Sequence, residues 1–404
     1  MNERTAGIDL ASEEHRLVVV DANGQRVDER RLAHTEEGVS RLVRRLLELE
    51  VVRVAIEQPN GLVVDRLLDA GVSVVAVHPN QLAAARDRYR SGGGKSDGFD
   101  AYVLAELART DMHRLRPLEP DSDETKALRT LTRAREDLVE QRVRLANQLR
   151  AQLDAFWPAA ARIFADVDSP ICLAFLERYP SPGDARPLGE KRLAAFLARN
   201  GYCGRKSAAE LLERLRTAPQ GRAGNLETEA RRQAVLALVA ALEPLVEQIR
   251  LLTSEIRGLL TDHPDGRIFQ SLFRDPKSIV TAAELLAEIG DRRDRHPNSS
   301  SLEAIAGQAP VAVESGKKKV ACFRWACNKT LRSAVSVLAD SSRKHNPWAN
   351  DIYQRARARG HDHPHALRIL GRAWLRIIWR LWQDHTPYDP TRHGSLNRLL
   401  TTHG

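Results

Sequence analysis

The first 110 residues switch repeatedly between a two-residue and a helical hydrophobic period, and that order limits the fold more than any other feature of the chain. Ala6–Leu10, His15–Val20 and Gln25–Ala33 are short β-rich runs. Asp21-Ala22-Asn23-Gly24 joins the second and third as a hairpin turn. Glu36–Leu49 then places Val39, Leu42, Val43, Leu46 and Leu47 on one helical face. A strand over Val51–Ile56, a helix near Val63–Ala70, a strand over Val72–Val77, a helix near Asn80–Tyr89 and a helix over Asp97–Arg109 follow. This order predicts a mixed sheet, in which a meander feeds right-handed crossovers with helices on both faces.

That element order is the one of an RNase H-like domain, expected over residues 1–115. From 121 to 155 the pattern turns helical, with Leu128, Leu131, Leu138, Val139, Val143, Leu145, Leu149 and Leu153 at threes and fours. Residues 227–262 repeat it through Val235, Leu238, Val239, Leu242, Leu245, Val246, Ile249, Leu252, Ile256 and Leu259. The stretch between is interrupted by Pro158, Pro170, Pro180, Pro182, Pro187 and Pro219, so it reads as short helices and loops. Two long amphipathic helices flanking an insertion predict an antiparallel hairpin over 116–265 that packs internally or pairs with a second copy. A third unit over 266–386 reads as mostly helical, through Ile279–Ile289, Ser301–Ala306 and Thr330–Asp340. Trp374, Ile377, Ile378 and Leu381 lie at helical spacing and read as core. Residues 387–404 read as a loose tail. The fold class expected is therefore α/β plus α.

Charge separates these regions. The chain of 404 residues carries a formal net charge of +9. Residues 301–404 hold 17 Lys and Arg against 7 Asp and Glu, a net of +10, so the first 300 residues come to −1. A basic C-terminal region on a neutral body suits a polyanion, or is simply a solvated basic surface. No run of 18 apolar residues spans a membrane, and the charged start Met1–Asp9 lacks a signal peptide's apolar core. Four cysteines make no disulfide scaffold, and Cys322 and Cys327 lack the second pair that a zinc finger needs. A cytoplasmic protein is expected.

Four carboxylates carry the chemistry. Asp9 lies in Ala6-Gly7-Ile8-Asp9-Leu10, and an aspartate in an apolar strand is costly unless its charge is paired, most simply by a metal ion. Glu57 ends the strand Val54-Ala55-Ile56, which meets Asp9 at one sheet edge if the two strands are neighbours. Asp97 and Asp100 sit three apart on one face of a first helical turn, behind Ser96 as N-cap. They could merely favour a helix N-terminus. Together the four offer hard oxygen ligands for Mg²⁺ or Mn²⁺, with substrate phosphate completing the coordination.

The stretches Gly7-Ile8-Asp9, Ile56-Glu57 and, most specifically, Lys95-x-Asp97-x-x-Asp100-Ala101 resemble the DEDD, RuvC-like domain of a family of insertion-sequence transposases and Piv-type DNA invertases. Some members are described as bridge-RNA-guided recombinases. The second half of that family is resembled by Thr281–Asp291, by Glu314-Ser315-Gly316-Lys317 and by Asn328-x-x-Leu331-Arg332. The likeness covers roughly 1–150 and 268–345. Phe273-Arg274-Asp275-Pro276-Lys277-Ser278 departs from the Gly-rich turn usual before the Thr-Ala-Ala helix. The resemblance implies that Asp9, Glu57, Asp97 and Asp100 bind metal and that Ser315 is the nucleophile. It also implies donor and target DNA, a structured guide RNA, and a dimer or tetramer in which the acids of one protomer meet the serine of another.

Without that resemblance, Ser315 is a loop serine near a solvated Lys run, able to approach a phosphodiester beside flexible Gly316. Lys317, Lys318, Lys319, Arg324, Lys329 and Arg332 are candidate phosphate contacts. The loop Ser91-Gly92-Gly93-Gly94-Lys95 either closes on nucleic acid, with Lys95 as a further contact, or is a plain linker. Two other activities compete. A RuvC-like junction nuclease would need the acids and not Ser315. A sugar-kinase-like ATPase would use Gly7-Ile8-Asp9 and Asp21-x-x-Gly24 as a phosphate loop, but no Asp-Gly-Gly second loop follows.

Overall fold

The computed structural model describes residues 3–57, 59, 61–89, 96–219, 221, 224–315 and 318–402; of 314, 315, 318, 319 and 399–402 it describes the backbone. The chain divides into two units, Met1–Pro120 and Asp121–Gly404.

The first unit is built on a five-stranded sheet of order β3-β2-β1-β4-β5, comprising β1 (Arg4–Asp9), β2 (Glu14–Val20), β3 (Arg26–Ala33), β4 (Val51–Ile56) and β5 (Val74–Ala76). β1 pairs antiparallel with β2 and parallel with β4, so the predicted meander and crossovers are present in the RNase H-like order. Helices α1 (Glu36–Glu48), α2 (Leu62–Asp69), α3 (Pro79–Tyr89) and α4 (Asp97–Thr110) cover it. The sheet's alternation sorts the core into two faces. Ile8, Leu17, Val19 and Ile56 pack with Leu42, Leu46 and Leu67 of α1 and α2. Ala55 and Val75 pack with Leu82, Val103 and Leu104 of α3 and α4, and Val18 and Val20 meet Ala101 and Ala105. β5 is shorter than the Val72–Val77 expected. Gly71 turns with φ +76°, and Val72 N–H is spent on Leu67 O at 2.9 Å.

The second unit opens with α5 (Asp123–Phe156), which pairs antiparallel with a second long helix, Asn225–Asp262. Leu128 near the start of α5 shares one core with Ile256 and Leu260. Leu149 and Leu153 near its end share another with Val235, Val239 and Leu242, together with the short helices of the Pro-rich stretch. The first of these cores also holds the helices Ile279–Ile289, Lys329–Ser342 and His363–Gln383, with Phe269, Trp374 and Trp382 buried in it. Trp374 and Ile378 are thus core, as their spacing indicates. No helix among the described residues is long and apolar enough to cross a membrane.

Two expectations fail here. Ser315 is not in an open loop; it ends β6 (Val311–Ser315), which pairs antiparallel with β7 (Lys318–Cys322), Ser315 opposite Lys318. The segment after Pro387 is not loose either. It forms a helix over Gly394–Thr402, Leu396 is buried, and Tyr388 N–H donates to Ser271 Oγ at 2.7 Å. His393 stacks edge-on against Trp348 with ring centres 4.5 Å apart.

Candidate active site

A glycine lets the strand of Asp9 rest on the helix of Asp97 and Asp100. An added Cβ at Gly7 would lie 2.0 Å from Ala101 O and 2.4 Å from Ala105 N, so only glycine lets α4 rest directly on β1. Thr5 Oγ1 donates to Ala105 O at 3.1 Å, one residue pair further along. As β1 advances from Thr5 to Gly7, its neighbours on α4 move back from Ala105 toward Ala101. Strand and helix therefore run antiparallel, and Asp9, the last residue of β1, arrives at the first turn of α4. Asp9 shares its sheet face with Gly7, two residues before it. Since Ile8 pairs with Ile56 in parallel register, Asp9 and Glu57 stand side by side at the carboxyl end of the sheet.

The first turn of α4 is set as its sequence indicates: Ser96 caps it, its hydroxyl accepting from Phe99 N–H at 3.4 Å. Asp97 is exposed there and Asp100 is buried, only 3% accessible. Asp100 is held by a partner absent from the sequence reading. Arg86 of α3 clasps it in a two-pronged pair, Nε to Oδ1 at 2.5 Å and the second nitrogen to Oδ2 at 2.6 Å. Arg86 precedes the acid by fourteen residues, beyond the reach of any local pattern.

By chemistry these donors suit a divalent cation: they are hard carboxylate oxygens, borne by two adjacent strand ends and one helix start. Among the described residues, no three His, Cys, Asp or Glu side chains are gathered closely enough to hold an ion. Arg86 supplies the positive charge at Asp100 instead. Asp21, the hinge of the kinase-like alternative, spends its carboxylate on its own turn, accepting from Asn23 and Gln25 N–H groups at 2.9 Å each.

Lys95 and the Gly-rich loop of the first unit, and Gly316 and Lys317 of the second, lie outside the described residues. Asn328 caps the helix Lys329–Ser342: its Oδ1 accepts from Leu331 N–H at 3.0 Å and its Nδ2 donates to Glu288 at 2.5 Å. Glu288 also receives a two-pronged pair from Arg133 at 2.8 and 2.9 Å. Burial works to raise this carboxyl, but the hydrogen bonds from Arg133 and Asn328 hold it below its ordinary value. Nearby Glu284 is pushed up to about 7, by burial first and Glu136 second, against the pull of Arg135. Two expected phosphate contacts have internal duties: Arg324 Nε donates to Ala309 O at 3.1 Å, and Arg332 donates to Arg324 O. Lys329 is exposed.

The chain is similar to known proteins over most of its length. A family model described as transposase matches residues 6–158, and one described as transposase of the IS116/IS110/IS902 family matches 277–354. The mini-circle putative transposase for IS117 of Streptomyces coelicolor is 32% identical, over 96% of this chain and 95% of that protein. The insertion element IS116 44.8 kDa protein of Streptomyces clavuligerus is 30% identical, over 95% and 96% of the two chains. The insertion element IS900 42 kDa protein of Mycobacterium paratuberculosis is 28% identical, over 95% and 97%. Among solved structures, T. thermophilus RuvC in complex with a Holliday junction substrate matches at 20% identity, over 29% of this chain and 99% of that one, with a TM-score of 0.23.

Proposed function

Because the chain belongs to the IS116/IS110/IS902 family of transposases, we propose that it cuts and rejoins DNA through Ser315, assisted by the carboxylates Asp9, Glu57, Asp97 and Asp100. The observation that supports the reading is the Gly7 contact, by which β1, the strand that ends in Asp9 and pairs with β4, rests directly on α4, the helix that begins with Asp97 and Asp100.

In this reading Asp9, Glu57, Asp97 and Asp100 hold Mg²⁺ or Mn²⁺. When bound, the ion polarises the scissile phosphate and stabilises a leaving oxygen. Arg86 holds Asp100 in orientation beforehand. Ser315 Oγ attacks phosphorus, an Oγ–P bond forms, the bond to the leaving strand breaks, and the departing oxygen takes up a proton. The phosphoserine stores the broken linkage, and attack by a new strand's hydroxyl restores the serine. Lys317, Lys318, Lys319 and Lys329 contact phosphates, with Arg324, Arg332 and Lys95 as further cations near the backbone.

The partners of the reading are donor and target DNA and a structured guide RNA whose base pairing supplies sequence choice. The protein acts as a dimer or tetramer, for which the two long helices of the second unit offer amphipathic faces. RNA co-purifying with the tagged protein, sequenced and mapped next to its own gene, tests the guide. Light scattering tests the assembly.

The central test is covalent capture on a suicide DNA substrate. Denaturing gels are expected to show DNA attached to the protein, with the band lost in Ser315→Ala and peptide mapping placing the link at Ser315. A Ser315→Ala protein that still cleaves at the normal rate would favour a metal-dependent junction nuclease and overturn the serine mechanism.

A further inference from the structure

Most tryptophans of this chain serve its cores. Trp157, Trp374 and Trp382 are no more than 2% accessible and Trp348 is 8% accessible, whereas Trp325 is 80% exposed. Trp325 follows β7 by three residues and stands edge-on against Phe323, with ring centres 4.8 Å apart. Phe323 in turn carries two guanidinium groups, Arg332 at 4.6 Å and Arg368 at 5.0 Å from its ring centre. The segment is anchored at both ends: Arg324 Nε donates to Ala309 O, and Asn328 N–H to Ile305 O at 2.8 Å. A large aromatic ring is thus presented to solvent on a braced loop.

The surroundings indicate what covers it. Arg332 and Arg368 lie against Phe323, and Lys329, four residues beyond Trp325, is exposed. An apolar partner face would gain nothing from that charge, and an acidic protein surface would gain nothing from the ring. A nucleobase with its own phosphate satisfies both, by stacking on the indole while its phosphate lies among the cations. Bases paired within a duplex hide their faces, so the base must be unpaired.

We propose that Trp325, backed by Phe323, Arg332 and Arg368, is a stacking platform for an unpaired nucleotide of a single-stranded DNA or RNA segment. This deepens the transposase reading and rests on it: strand exchange exposes unpaired bases, and the platform holds one beside the β6–β7 hairpin that bears Ser315.

The full chain is titrated with single-stranded oligodeoxythymidine, with an abasic strand of equal length, and with duplex DNA, reading tryptophan emission and anisotropy of labelled DNA. Trp325, being 80% exposed, is expected to dominate the red edge of the emission. The single strand is expected to quench that edge, and the abasic strand to leave it unchanged. Trp325→Leu should lose the quench and bind the single strand about tenfold more weakly while holding duplex as before. Trp325→Phe should recover most of the affinity. Equal single-strand affinity in wild type and Trp325→Leu, or equal quenching by the abasic strand, overturns the platform while leaving the transposase reading intact. Emission that shifts on dilution without DNA would show a second copy covering Trp325 and also overturns it. Failure of the wild type to bind any nucleic acid overturns both.

Discussion

The sheet domain and the β6–β7 hairpin both carry proposed catalytic groups, yet they hold them by opposite means. Asp9, Glu57 and Asp100 sit at the ends of elements whose other side chains are the core: Ile8, Ile56, Ala101 and Leu104 have no measurable exposure. Ser315 ends a strand of a two-stranded sheet in which Val313 is 48% and Val320 54% exposed. An isolated hairpin is marginal by itself. Metal-binding groups need fixed mutual distances, which packing enforces. A nucleophile that bonds to a DNA strand and releases it must follow that strand, and an arm with little packing can do so.

The contrast can be broken first by chemistry. Asp9→Ala and Ser315→Ala should each lower strand cleavage at least about a thousand-fold, the several kcal/mol that such groups supply. Ser315→Ala should keep its urea midpoint within about 0.5 kcal/mol of wild type. A Ser315→Ala chain that unfolds early would show that the hairpin is structural.

Stability gives the next largest difference. Gly7→Ala drives a methyl into the backbone of α4 and should cost about 3 kcal/mol, with loss of cleavage as α4 lifts from β1. Val313→Ala should cost less than about 1 kcal/mol. Chemical denaturation of the two variants separates these outcomes, and equal losses would dissolve the distinction between rigid and pliant regions.

Arg86→Gln leaves the buried Asp100 charge without its partner and should cost about 2 kcal/mol in the absence of divalent cation. Millimolar Mg²⁺ should recover most of that loss in the variant and add less to wild type. Thermal melts with and without Mg²⁺ check this; a variant indifferent to Mg²⁺ would place the cation away from Asp100.

The smallest effect concerns Glu284. Its carboxyl titrates near 7 in the folded chain against an ordinary value of 4.5, so the native state binds an extra proton between those values. Stability contributed by that proton is fully present below 4.5 and falls as pH rises through about 7. Glu284→Gln should raise the melting temperature of the second unit by a few degrees at about pH 8 and leave it unchanged at about pH 4. Glu136, Arg135 and Glu288 face the same group, so an equal gain at both pH values would assign the effect to packing.

Much of this was legible because local pattern and position coincide. Alternating apolar residues marked β1 and β4, and with them the strand-end position of Glu57; Asp9, expected inside a strand running to Leu10, is instead the last residue of β1. Ser96 marked the start of α4. The Arg86–Asp100 pair was not legible, since it depends on how α3 packs against α4. The β6–β7 hairpin left a signal that the Lys run obscured: Val311 and Val313 alternate before Gly316, and Val320 and Cys322 alternate after it. The helix Gly394–Thr402 was missed because its anchors, Tyr388 and His393, find their aromatic partners far away in sequence. Solvent exposure separates Trp325 from the core tryptophans.

The antiparallel pair of long helices has a metric consequence. At 1.5 Å per residue, the 34 residues of α5 make a rod of about 51 Å, and the 38 of its companion about 57 Å. One end is cemented into the core that holds Trp374, the other into the core around Phe175. Such a rod converts residue count into length, so anything docked on the far core is kept at a set span from the near one. Removing seven residues from each helix would shorten that gauge by about 10 Å with nearly the same faces still in contact.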